Sequence, residues 1–281
     1  MYNLEIENKY GERLSLTGNP AYEITQIDGL NPPEAVVNTT HLTGSDGAVF
    51  NSAYVDTRQI IMNIAINGPD AEANRLTLYR FFVSKYPVTI RIKNGSRDVE
   101  ITGYVKQMPI EFFAKKQTVQ VTVICPEPYF RKKTDNAERL VYVTPQFVLP
   151  VEFDGDNVIM GERTEFPSAP VTNEGDVEVG VRISFALDGA VMNPTITNAT
   201  TGDYIQISSG LVYGDAVELS TVTGNKYVTV IRNGQRLNYL GHLSSGSSWI
   251  VLVPGVNTIE FSASSVASEF EIAFAPMFEG V

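Results

Sequence analysis

The most suggestive chemical stretch in the chain is Asp154-Gly155-Asp156-Asn157, whose alternating side-chain oxygens resemble the opening ligands of a calcium loop. The residues that follow do not sustain that reading. Val158 stands where the fifth-position ligand is required, and no glycine follows at the sixth, so the stretch reads as a β-turn. His41 and His242 each stand alone, in Thr40-His41-Leu42-Thr43 and Gly241-His242-Leu243-Ser244. A general base needs a partner within hydrogen-bond reach, and neither surrounding supplies one, so both read as loop residues. Cys125 is the single cysteine, which rules out an intrachain disulfide framework, and two histidines beside it do not make a zinc set. It reads as a small core hydrophobe. Gly44-Ser45-Asp46-Gly47 lacks the preceding strand, the lysine and the following helix of a phosphate loop.

Trp249 opens the apolar run Trp249-Ile250-Val251-Leu252-Val253. A ring there belongs to a core more often than to a sugar-stacking platform, and sugar contact is kept as the second reading. The sequons at Asn38, Asn94 and Asn198 carry no meaning without a secretory signal, and Met1-Tyr2-Asn3-Leu4-Glu5 has neither the basic start nor the apolar core of one. No apolar run approaches the roughly 20 residues needed to span a bilayer. Synthesis in a cytoplasm, no membrane insertion and no cofactor or metal are the expectations.

The elements that would position these residues are short strands. Hydrophobic residues make up 43% of the 281 residues and charged residues 19%, an ordinary globular balance, and the length favours two domains. The net charge is -11. Through Phe130 there are 12 basic and 14 acidic residues, against 9 and 18 beyond it, so the acidity gathers in the second part. Phosphate backbones are bound by Lys and Arg, so no specific nucleic-acid binding is expected.

Strand patterns occur at Tyr2 to Glu7, Tyr22 to Ile27 and Arg58 to Ile66. A helix is expected at about 69–85. Pro69 suits its first position, Asp70 and Glu72 its positive end, and Leu78, Phe81 and Phe82 form its apolar stripe. Val88 to Ile92 and Val99 to Val105 form a hairpin through Asn94-Gly95, and Ile110 to Phe113 pairs with Thr118 to Ile124. The last of these runs into Cys125-Pro126-Glu127-Pro128-Tyr129-Phe130, whose prolines cannot donate to a sheet ladder and end it. Between Asn31 and Asn51 lies a polar stretch too long for an ordinary connection, which reads as a functional, arm-like loop. Beyond the prolines, strand runs recur from Glu178 to Ser262 at the spacing of an all-β sandwich.

The expected fold is mainly β. An N-terminal β-sandwich or barrel with one helix covers 1–130, a linker with entry strands 131–170, and a C-terminal jelly-roll sandwich 171–281.

Asp56-Thr57-Arg58-Gln59-Ile60, Leu76-Thr77-Leu78-Tyr79-Arg80-Phe81-Phe82 and Cys125 to Phe130 in the first part carry a family likeness. Asn173-Glu174-Gly175-Asp176, Asn193-Pro194-Thr195-Ile196-Thr197-Asn198 with Thr201-Gly202, and Leu252 to Phe261 continue it in the second. In this order the chain resembles the distal tail protein (Dit) family of long-tailed, non-contractile bacteriophages. The resemblance implies a structural virion protein, made in the bacterial host and sited at the tail tip. It implies a homohexameric ring between the tail tube protein and the tail-tip protein, with a channel for DNA and a platform for receptor-binding proteins. It also implies a galectin-like or carbohydrate-module-like second domain. In that setting Asn31, Asn38, His41, Asp46 and Asn51 mark the arm expected to embrace a neighbour. The alternative is a carbohydrate-binding module that grips cell-wall sugar through Trp249. A glycosidase or cell-wall hydrolase is the weaker third reading, since no acid pair or metal set is visible.

Overall fold

The structure, a computed structural model, describes residues 2–112, 117–139, 141–144, 162–165, 168–263 and 267–281. Asp154-Gly155-Asp156-Asn157 lies outside the described residues, as do Ala114, Lys115 and Lys116 of the turn expected before Thr118. The chain forms two compact units, one of Met1–Lys133 with Met277–Val281 and one of Thr134–Pro276. The break falls three residues after Phe130, and the last five residues join the first unit instead of ending the second.

In the first unit the strands are β1 (Asn3–Glu7), β2 (Arg13–Ser15), β3 (Tyr22–Asp28), β4 (Ala35–Thr40), β5 (Val49–Val55) and β6 (Arg58–Ile66). After helix α1 (Ala71–Phe81) come β7 (Pro87–Asn94), β8 (Arg97–Gln107), β9 (Thr118–Cys125) and β10 (Phe130–Lys132). The main sheet runs β2-β1-β7-β8-β9-β6-β3, with β10 paired to β8 and to the terminal strand Met277–Phe278. Alternation builds its core. Arg58, Ile60, Met62 and Ile64 of β6 are buried, as are Val119, Val121, Val123 and Cys125 of β9.

Helix α1 is shorter than the expected 69–85. It starts after Asp70, so Pro69 precedes the helix, and it ends where Phe82 donates its backbone N–H to Leu78, ahead of Lys85 in the left-handed region at φ 71°. The apolar stripe is as expected, with Leu78, Phe81 and Phe82 buried. Tyr22 Oη donates to the Asn74 carbonyl at 3.0 Å, which ties the edge strand β3 to the helix. Of the strand expected at Ile110 to Phe113, the described residues form only a single bridge, Ile110 to Val119.

The second unit is a two-sheet sandwich. One sheet orders Asn136–Arg139, Ala267–Phe274, Arg182–Leu187, Ala216–Ser220, Tyr227–Arg232 and Gln235–Asn238; the other orders Ser168–Asn173, Gly255–Ser262, Thr195–Asn198 and Asp203–Gln206. Phe185 of the first sheet meets Phe261 of the second with ring centroids 5.2 Å apart, and Phe270 lies within 5.5 Å of both. Three large rings supply the contact between the sheets, and apolar area of this size dominates such cores.

Candidate interaction surfaces

The segment that reads as a polar loop is a β-hairpin. β4 and β5 pair antiparallel from Ala35 opposite Val55 to Thr40 opposite Val49, and among the described residues they pair with no other strand. Ala35-Val36-Val37 and Tyr54-Val55 supply the β-branched and aromatic residues that a strand accepts, and these sit among the asparagines and threonines that obscure the alternation. Asn38 Nδ2 donates to Ser52 Oγ at 3.0 Å and Asn51 Nδ2 to Thr40 Oγ1 at 2.7 Å, cross-strand bonds inside the hairpin. His41 Nδ1 lies 3.1 Å from the Gly47 carbonyl, which closes the tip. Asp46 sits in that tip, where Gly44 and Gly47 take positive φ. Asn31 is at the root instead, where its carbonyl accepts from Arg58 at 2.7 Å.

Every residue of β4 and all but Val55 of β5 are exposed. The exposed set includes large apolar side chains, Val37, Leu42, Val49, Phe50 and Tyr54, with Phe50 62% accessible. Apolar side chains exposed on both faces and at the tip of a hairpin with unpaired edges make a surface that a monomer covers or blunts.

Arg58 organises the root of this hairpin. It is 4% accessible, and its guanidinium donates to the carbonyls of Gly29 (2.6 Å), Asn31 (2.7 Å), Glu279 (2.6 Å) and Pro128. Its Cζ lies 4.7 Å from the centre of the Phe130 ring. Burial weakens its hold on the proton, and four carbonyl dipoles offset the cost of a cation taken out of water. Gly29, at φ 91°, has no room for a side chain, since an ideal Cβ would lie 2.2 Å from the Gln59 carbonyl oxygen. The C-terminal segment completes the cluster. Val281 donates its N–H to Leu30 at 3.1 Å, and Arg97 donates to Gly280 while its Cζ lies 4.5 Å from the Phe278 ring centre.

Cys125 is fully buried in the same core, and burial pushes its thiol up to about 12, with the Arg58 charge pulling weakly the other way. His242 ends a short 3-10 turn, Leu240–His242, with its ring 4.6 Å from that of Tyr239. Among the described residues no group of three or more His, Cys, Asp or Glu gathers to hold a metal. No helix among them is long and apolar enough to cross a membrane.

In the second unit Trp249 is half-buried, and the Lys226 ammonium stands 5.1 Å from its ring centre, so a sugar stacked on that face would displace it. The family-like turns of this unit prove to be structural pins. Asn173 Nδ2 donates to Val177 and Leu252, Asn198 Nδ2 to Val251 (2.7 Å) and to Asn257 Oδ1 (3.1 Å), and Asn257 Nδ2 to Val253 (2.8 Å). All three asparagines are buried, where an amide must be satisfied on both ends.

Residues 174–278 match the family model of the siphovirus-type tail component, C-terminal domain. Over its whole length the chain has the fold of the Dit protein of phage SPP1, described as a paradigm of the hub adsorption apparatus in phages infecting Gram-positive bacteria. The TM-score is 0.68 at 15% identity, with 99% of each chain covered. A chain from the activated, calcium-bound baseplate of phage P2 matches with TM-score 0.52 and 13% identity over 100% of both chains. No curated protein sequence matches the chain.

Proposed function

We propose that the chain is a structural virion protein, the distal hub of a long, non-contractile phage tail. Six copies close a ring through the first unit, between tail tube and tail tip, and the ring presents the second unit as a platform for host-recognition proteins. The observation that carries this reading is the exposed β4/β5 hairpin with its unpaired edges and large apolar side chains on both faces. A ring needs a contact in which one surface of a copy meets a different surface of the next, and an outstretched hairpin is such a surface. The family match and the whole-chain likeness to a hub protein support it.

Negative-stain images of the purified chain are expected to show six-fold rings. Isolated single copies at every concentration, with and without tail tube and tip proteins, would contradict the reading.

A further inference from the structure

We propose that the hairpin of one copy docks in a tyrosine-lined, basic cleft between the Asn8–Glu12 turn and helix α1 of the next copy. This rests on the ring reading and names the surface that receives the arm. The cleft has a volume of about 450 Å3 and is lined by Lys9, Tyr10, Glu12, Tyr79 and Arg80. Its walls present two exposed rings, Tyr10 at 73% and Tyr79 at 37% accessible, and Leu76 three residues before Tyr79 extends the apolar surface along the helix.

The polar groups are already organised. The Lys9 ammonium stands 3.2 Å from the centre of the Tyr86 ring and 4.8 Å from that of Tyr10. Arg80 pairs with Glu12 at 3.2 Å, and Glu12 in turn accepts from the buried Asn8 at 2.7 Å. With two cations and one carboxylate, the cleft is locally basic in a protein of net charge -11. Tyrosine and arginine in this setting are the residues that carry binding energy at protein interfaces.

The hairpin offers the complement. From Asn31 to Thr57 there is no Lys or Arg, and the acidic residues Glu34, Asp46 and Asp56 lie along the segment. Its exposed Val37, Leu42, Val49, Phe50 and Tyr54 supply apolar area for the tyrosines to cover. Both surfaces are open on a single copy, and they differ from each other. Their contact is therefore heterologous, and repeated around an axis it closes a ring. Opposite charge also sets the register and speeds encounter.

The test uses the full chain with the photo-crosslinking residue p-benzoylphenylalanine in place of Phe50, followed by mass spectrometry of copy-to-copy products. Crosslinks are expected on peptides that hold Tyr10 or Tyr79. In parallel, Tyr10→Ala with Tyr79→Ala, both exposed side chains, is expected to weaken self-association by about 10-fold or more while the thermal transition stays in place. Crosslinks that fall elsewhere, or a tyrosine pair variant that assembles like the parent while hairpin deletion abolishes assembly, would overturn the cleft and leave the ring standing. No self-association of the parent chain, alone or with tail tube and tip proteins, would remove the ring and the cleft together.

Discussion

The Arg58 guanidinium donates to the Glu279 carbonyl at 2.6 Å, joining positions 221 residues apart. The same side chain holds the root of the β4/β5 hairpin through Gly29 and Asn31 and the proline turn through Pro128. One buried cation thus fixes where the hairpin leaves the first unit and where the chain's end returns to it.

Replacing Arg58 with Met leaves four carbonyls without a donor in a buried site. A loss of about 3 kcal/mol or more is expected for the first unit, with Lys restoring only part of it because an ammonium lacks the planar fork. Urea unfolding followed by circular dichroism measures this. Trp249 is the single tryptophan and belongs to the other unit, so its fluorescence transition is expected to move less. A change of under about 1 kcal/mol for the Met variant would show that the cluster is not a stability element.

Gly103 packs so closely that an ideal Cβ would lie 2.6 Å from Val123 Cγ1 and 2.7 Å from both Cys125 Sγ and the Ile124 carbonyl oxygen. Gly103→Ala is expected to destabilise the first unit by about 1–3 kcal/mol, since a close-packed sheet core has no slack for an added methyl group. A thermal transition at or above that of the parent would contradict this packing.

Cys125, buried and with its thiol raised to about 12, is expected to stay unreactive toward a thiol-specific reagent at pH 8 in the folded protein and to react fully in denaturant. Rapid labelling without denaturant would mean that the core around β6 and β9 opens readily.

Asp215 is 1% accessible and accepts two bonds from Arg232, at 2.8 and 2.7 Å, which hold its carboxyl below the usual range against the opposing effect of burial. A carboxylate whose pKa is depressed by folding adds stability above its unfolded pKa, near 4, and that contribution is lost as pH falls through the lower folded value. Asp215→Asn is therefore expected to be less stable than the parent at pH 7, with the gap narrowing below about pH 4. A gap that widens on acidification would contradict the sign.

The sequence declares the elements whose partners are near. The Asn94-Gly95 hairpin, the Leu78, Phe81 and Phe82 stripe, and the strands Thr195–Asn198, Ala216–Ser220 and Tyr227–Arg232 follow from local period and turn chemistry. The hairpin β4/β5 does not, because its apolar and polar residues fall in blocks, Ala35-Val36-Val37 before Asn38-Thr39-Thr40, and no buried face imposes a period of two. Arg58 is quoted in the family-like run at the start of β6, yet its role depends on carbonyls contributed by three distant segments, which no local pattern encodes. The terminal strand Met277–Phe278 is missed for the same reason, since both its partners and its unit lie more than a hundred residues back. In the second unit, Asn173, Asn198 and Asn257 stand out in sequence as turn residues, and burial gives them their work as pins.

Deleting the hairpin from Ala35 to Val55 tests its role apart from its fold. With strands that, among the described residues, pair only with each other, its removal is expected to cost about 1 kcal/mol or less while assembly is lost. Retained assembly would remove the hairpin from the contact.

The most direct test of the hub reading is the mass of the full chain in solution by light scattering across a concentration series, with tail tube and tip proteins added in a parallel set. A species of six times the 30.9 kDa chain mass is the predicted result. A mass of one chain throughout both sets would contradict it.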